Sequence, residues 1–300
     1  MSLFKTISPE ELLACLRDPD LIILDVSTQL VPSTSGVGYD ASGLEQNWAD
    51  CRIPNSLYVD VIKYLSDPSN TIRFGVPSSG KMMDFVLKYN LNFEDRIILY
   101  ERSPSIWAPR IWWILKSYGF KNVEILNCYL DHWVTLKLPV ETGRFQTETI
   151  MRPTQSFDNF EINANMWTSM QEVQNGLFEK KLLLVNTLSP QIFRGSKVRY
   201  GRTGHIPGSI NVHYKLFTTK SPERFLSDSA CMSILEQFIR VKDDKTIVLY
   251  CGGGVSACFV AFIIHNLYVE RSVSVYDGSL IEWMSSDGNP TSNLSFEDSF

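Results

Sequence analysis

The chain is written twice. A short apolar segment ending in tyrosine, Arg96-Ile-Ile-Leu-Tyr100, returns as Thr246-Ile-Val-Leu-Tyr250 at an offset of 150 residues. A loop follows each copy, and then an apolar run: Arg110-Ile-Trp-Trp-Ile-Leu115 in the first and Ala257-Cys-Phe-Val-Ala-Phe-Ile-Ile264 in the second. Trp133 and Trp283 keep the offset of 150, and Arg52-Ile-Pro-Asn-Ser echoes His205-Ile-Pro-Gly-Ser at 153. Correspondences in one order at nearly one spacing define a tandem duplication. With 300 residues in all, each copy has the ordinary domain size of about 100–150 residues.

Within each copy, strand-like and helical stretches alternate. The first has β-rich runs at Leu21–Val26, Arg96–Tyr100 and Asn122–Leu126; the second has Leu182–Val185, Thr246–Tyr250 and Ser272–Tyr276 in the same order. Continuous apolar runs of this length suit strands buried on both faces, and helices between them imply parallel pairing. Ser8-Pro9-Glu10-Glu11 reads as a helix start, with serine as cap and proline at the first helical position. The expected fold is therefore α/β, two tandem domains each with a parallel sheet flanked by helices. The expected boundaries are 1–143 and 161–300, joined by a polar linker at 144–160 that carries Pro153.

Composition narrows the function classes. Twenty-eight Lys and Arg against 33 Asp and Glu leave a formal charge of −5, which argues against coating nucleic acid or anionic membrane through bulk charge. The longest apolar run, Ala257–Ile264, is far short of the roughly 20 residues that cross a bilayer. The start, with two acids by residue 11 and no apolar core, reads as neither a secretory signal nor an Arg-rich transit peptide. Six cysteines scattered without paired short spacing read as reduced thiols in a cytosolic setting. The four histidines do not join them at ligand spacing, so neither a metal nor any other cofactor is expected.

One cysteine stands apart. Cys251 directly follows a strand, at the end of a parallel sheet where ligands gather. Behind it come Gly252, Gly253, Gly254, Val255 and Ser256, and then a helix. Three glycines let successive N–H groups turn toward one point, and the helix dipole favours negative charge there. Ser256 is expected to cap the helix. Cysteines in such settings have pKa values lowered from about 8.5 to roughly 3.5–7.5, which makes them nucleophiles. Cys15, Cys128, Cys231 and Cys258 read as small buried hydrophobes. The matching loop of the first copy begins with Glu101 and has neither thiol nor glycines, so that copy is expected to be inactive. A P-loop needs Gly-Lys-Ser/Thr, which does not follow. A Cys-x5-Arg phosphatase needs an arginine where Ala257 stands.

The motifs resemble the tandem-rhodanese sulfurtransferases, the thiosulfate and 3-mercaptopyruvate sulfurtransferase family. Gly204-His205-Ile206-Pro207-Gly208-Ser209 resembles the family's amino-terminal signature, and Tyr276-Asp277-Gly278-Ser279-Leu280-Ile281-Glu282-Trp283 its carboxy-terminal one. Ala108-Pro109-Arg110-Ile111-Trp112-Trp113 is similar to the first domain's loop-helix junction. The resemblance implies a catalytic second domain that carries sulfur on Cys251 as a persulfide, cradled by residues 252–256. Thiosulfate enzymes carry Cys-Arg-Lys-Gly-Val-Thr; the neutral Cys-Gly-Gly-Gly-Val-Ser here is closer to the mercaptopyruvate form, so that donor is expected first and thiosulfate second. The acceptor implied is a thiol or a sulfur-carrier protein, with no direct contact to nucleic acid or membrane. Arg52-Ile-Pro-Asn-Ser resembles the fungal form that serves tRNA thiolation; the expected location is cytoplasmic, with a mitochondrial pool left open.

The sequence also departs from the family. Gly253 replaces a hydroxyl residue, Arg52 a histidine, and Ile192 a substrate-binding arginine. Arg194, Arg199 and Arg202, with Arg52, are the candidate substrate cations. The alternative expectation is a catalytically weakened binding module that only docks partners.

Overall fold

The duplicated segments become duplicated sheets. The computed structural model describes residues 3–67, 72–144, 160–179, 181–219, 224–239 and 245–293. Its strands are β1 (Thr6–Ile7), β2 (Leu21–Asp25), β3 (Thr28–Pro32), β4 (Tyr39–Gly43), β5 (Leu57–Tyr58), β6 (Arg96–Tyr100) and β7 (Asn122–Leu126) in the first half. The second half has β8 (Trp167–Thr168), β9 (Leu182–Asn186), β10 (Ile210–Asn211), β11 (Thr246–Tyr250) and β12 (Val273–Tyr276). The first sheet runs β1-β7-β6-β2-β5 and the second β8-β12-β11-β9-β10, all parallel. The two orders superimpose strand for strand, which is the α/β architecture expected. The expected linker, 144–160, lies outside the described residues except at its two ends.

The residues that betrayed the repeat are the ones that build it. Tyr100 and Tyr250 end the central strands with no exposure, and each phenol bonds a serine at 2.8 Å: Ser56 and Ser209, the last residues of the two Ile-Pro motifs. Trp133 and Trp283 each donate their indole N–H to a proline carbonyl at 2.8 Å, Pro139 and Pro290. A buried Tyr or Trp needs a partner for its polar tip, so each copy retains both members of each pair. The first helix, Pro9–Cys15, starts at a capping box between Ser8 and Glu11.

The domains share a core. Helix Ala108–Ser117 of the first packs on helix Val255–Leu267 of the second. Trp112 meets Phe262 edge-on at 4.9 Å between ring centroids, and both Trp112 and Trp113 contact His265. One hydrophobic cluster runs through both halves, from Leu24 and Leu99 to Leu249 and Val275. The carboxyl ends of the central strands β6 and β11 lead into these two helices, so both candidate loops lie beside the interface.

An antiparallel hairpin, β3 paired with β4, was not expected from the sequence. It leaves the first domain and reaches the second: Gly38 donates its N–H to the Arg199 carbonyl at 2.7 Å. Arg73 clamps it, donating to the Tyr39 carbonyl at 2.6 Å and pairing with Asp40 at 3.0 Å. Leu30 and Tyr39 are thereby carried over the second domain's strand ends.

Candidate active site

Cys251 follows β11 and lies in the wall of a cavity of about 330 Å³ built by both domains. Only 3% of the residue is exposed. Its own N–H donates to the Ser279 hydroxyl at 3.0 Å, and its carbonyl accepts from Leu280 at 3.1 Å. Ile281 donates to the Gly252 carbonyl at 3.0 Å. The segment Tyr276–Trp283 therefore holds Cys251 by its N–H and carbonyl and Gly252 by its carbonyl, and takes none of the N–H groups that follow Cys251. Among the described residues, no acceptor takes the N–H of Gly252, Gly253, Gly254, Val255 or Ser256.

The helix starts earlier than expected, at Val255, with Gly254 as its cap residue. Gly254 has φ of +80°, a left-handed turn that brings the chain into the helix at once. Ser256 is then inside the first turn and does not cap it; its hydroxyl shares a hydrogen bond with Thr187 at 2.9 Å. A side chain at 254 would run into Arg110 and Asp277, which lie 2.4 and 2.7 Å from where its Cβ would sit. Those two form an interdomain ion pair at 2.8 Å, with Arg110 fully buried. Asp277 also accepts from the N–H of Val76 at 2.7 Å. Burial works against the charge on Arg110, but Asp277, with Cys258 and Cys251 adding to it, raises its pKa on balance.

The first domain offers an internal comparison. Glu101 follows β6 as Cys251 follows β11, and its carboxylate takes the Trp107 N–H at 2.7 Å, the Ala108 N–H at 3.1 Å and the Ser105 hydroxyl at 2.6 Å. The nest at the start of helix Ala108–Ser117 is thus filled by the protein's own anion. The other carboxylate oxygen pairs with Arg224 of the second domain, and both residues are buried.

The expected substrate arginines are not gathered at the cavity. Arg52 is 3% exposed and belongs to the first domain's packing, paired with Glu141 at 3.3 Å, bonded to the Gly143 carbonyl, and lying over Trp48. Arg202 donates to the carbonyls of Asn289, Ser286 and Trp283. Arg194 is exposed outside the lining, and Arg199 covers the ring of Tyr39 at 5.2 Å. The cations that do line the cavity are Lys197 and Lys215, with no Asp or Glu among the lining residues. His213 lines it too, and burial with the nearby Lys215 charge lowers its pKa below the ordinary value. Lys197 lies between Arg194 and Arg199 in sequence, so the cavity takes a lysine from the very stretch whose arginines point elsewhere, to packing or solvent.

The sequence also missed the aromatic walls. Tyr39 and Phe74 come from the first domain, Tyr200 and Tyr214 from the second. Tyr200 sits directly against Gly252: a Cβ there would lie 2.1 Å from the phenol oxygen. Burial first, then the neighbouring Cys251, push the Tyr200 pKa well above the ordinary tyrosine value, so the phenol keeps its proton.

Residues 169–286 match the rhodanese-like domain family. Thiosulfate sulfurtransferase of Gallus gallus is 26% identical over 243 residues, 79% of this chain and 80% of that one. 3-Mercaptopyruvate sulfurtransferase of Homo sapiens is 26% identical over 257 residues, 82% and 80%. Among solved structures, the Tum1 protein of Saccharomyces cerevisiae matches with a TM-score of 0.79 at 22% identity, covering 98% of this chain and all of that one. The 3-mercaptopyruvate sulfotransferase SseA of Escherichia coli matches at 0.75 and 23%, covering 92% and 98%. Relatives named for both donors stand at the same identity.

Proposed function

We propose, from the premise that the chain belongs to the tandem-rhodanese sulfurtransferase family, that it moves sulfane sulfur from 3-mercaptopyruvate, with thiosulfate a lesser donor, through a persulfide on Cys251 to a thiol or sulfur-carrier protein. One observation carries this reading. The cavity-lining thiol is followed by five N–H groups that nothing in the described protein occupies, while the same nest in the first domain holds a carboxylate. A nest that binds one anion in one copy is suited to an anionic sulfur in the other.

The mechanism is two exchanges. The Cys251 thiolate attacks the donor sulfur and releases pyruvate, or sulfite from thiosulfate; the outer sulfur then passes to the acceptor by the same chemistry as thiol–disulfide exchange. Two features of the lining support this donor order. Lys197 and Lys215 stand at the cavity for a carboxylate, while the loop itself has no cation for a dianion. An arginine after the cysteine, as in thiosulfate-type loops, would begin where the Tyr200 phenol already lies. The acceptor side rests on the resemblance of Arg52-Ile-Pro-Asn-Ser to the fungal form, and we extend it to tRNA thiolation through a carrier protein. No helix among the described residues is long and apolar enough to cross a membrane.

The test is an intact-mass spectrum after incubation with each donor. Wild type should gain one sulfur atom from 3-mercaptopyruvate faster than from thiosulfate, and Cys251→Ser should gain none from either. Sulfur transfer that persists in Cys251→Ser removes the assignment; faster loading from thiosulfate reverses the donor order and leaves the persulfide route standing.

A further inference from the structure

Loading from 3-mercaptopyruvate poses a problem that loading from thiosulfate does not. Attack by the thiolate forms the S–S bond and breaks the bond between sulfur and C3, whose electron pair leaves on the pyruvate enolate. That carbon needs a proton to become the methyl group of pyruvate. Sulfite leaves with no such need. Gly253 and Arg52 stand where the family resemblance has a hydroxyl and an imidazole, and Arg52 is packed into the first domain. Neither supplies an acid beside Cys251.

Tyr200 is in that position. Its phenol oxygen lies against Gly252, the residue next to the nucleophile, and its side chain lines the same cavity as Cys251. Backbone and ring are buried, with 5% of the residue exposed, so the hydroxyl is held rather than swinging in solvent. Tyr39 and Tyr214 also line the cavity, but the atoms nearest to Gly252 all belong to Tyr200. His213, which also lines the cavity, is biased toward its neutral form by burial and Lys215.

We propose that the Tyr200 hydroxyl is the acid that protonates C3 of the departing enolate. The step balances without a co-reactant. Tyr200 gives its proton to C3, and the phenolate takes one back from the S–H of the sulfur just transferred, leaving an anionic persulfide in the N–H nest. The donor's own thiol proton thus ends on carbon. An enolate carbon is a much stronger base than a phenolate, so a tyrosine that holds its proton at neutral pH still surrenders it there. This assignment rests on the persulfide reading and deepens it.

The experiment separates the two half-reactions in Tyr200→Phe. Loading from 3-mercaptopyruvate, followed as pyruvate release in a single turnover, should slow by about 100-fold, the lower end of what a general acid contributes. Discharge of the persulfide to cyanide puts no proton on carbon and should proceed at the wild-type rate; if loading is too slow, the persulfide is made with inorganic polysulfide. Unchanged loading overturns the proposal. A parallel slowing of loading and discharge also overturns it, because that is what a merely structural tyrosine would give. A wild-type protein that forms no persulfide with any donor instead removes the underlying reading, and with it this step.

Discussion

At the scale of single residues, the loop glycines have different tasks. Gly254 is in the left-handed region, and a Cβ there would strike Arg110 and Asp277. Gly253 has no such φ, and its Cβ would meet only Phe74 at 3.3 Å and Ile281 at 3.5 Å. Gly254→Ala should therefore destabilise the protein by about 2–4 kcal/mol, combining left-handed strain with overpacking. Gly253→Ala should cost less than about 1 kcal/mol, since the ring of Phe74 need give by only tenths of an ångström. Urea midpoints of the two variants decide this, and equal losses would contradict it. Gly252 owes its identity to a side chain from elsewhere, the Tyr200 ring. No spacing rule reveals that, because the two residues are far apart in sequence and meet only through the fold.

At the scale of elements, the two loops are the same device filled differently. Glu101 brings its own charge to the first nest, and Arg224 neutralises it while lying over Tyr129, Phe225 and Phe259. Glu101→Gln leaves a buried guanidinium without its counter-charge and should cost about 3–5 kcal/mol. Adding Arg224→Met should recover most of that loss, since the pair is then replaced by apolar surface; urea unfolding of the single and double variants measures it. The six central and flanking strands were legible because each is a short apolar run with breakers at its ends, and three of them, β6, β7 and β11, have the expected limits. The two-residue edge strands carry no period to detect. Hairpin β3–β4 was hidden because its strands, Thr-Gln-Leu-Val-Pro and Tyr-Asp-Ala-Ser-Gly, show mixed exposure and include a proline and a glycine. Missing the hairpin meant missing Leu30 and Tyr39 at the cavity. Cys251 and its glycines were legible because they are contiguous; the lysines and tyrosines around them are assembled from distant segments.

At the scale of the molecule, each domain inserts an arginine into the other: Arg110 reaches Asp277, and Arg224 reaches Glu101. With a hydrophobic cluster common to both halves, the domains should unfold together. Trp48, Trp107, Trp112, Trp113 and Trp133 belong to the first domain, so tryptophan fluorescence weights that half while far-UV circular dichroism weights both. The two probes should give one coincident urea transition; two separated midpoints would show independent domains. The roof that the first domain lays over the second has a consequence for traffic. Cys251 is 3% exposed, beneath the hairpin and the tyrosine walls, so on the proposed function whatever collects its sulfur has to reach into the cavity. A small thiol can enter whole. A carrier protein has to extend its receiving group on a slender projecting loop or a loose chain end, and one whose thiol is set flush in a folded surface is turned away by shape before any chemistry begins.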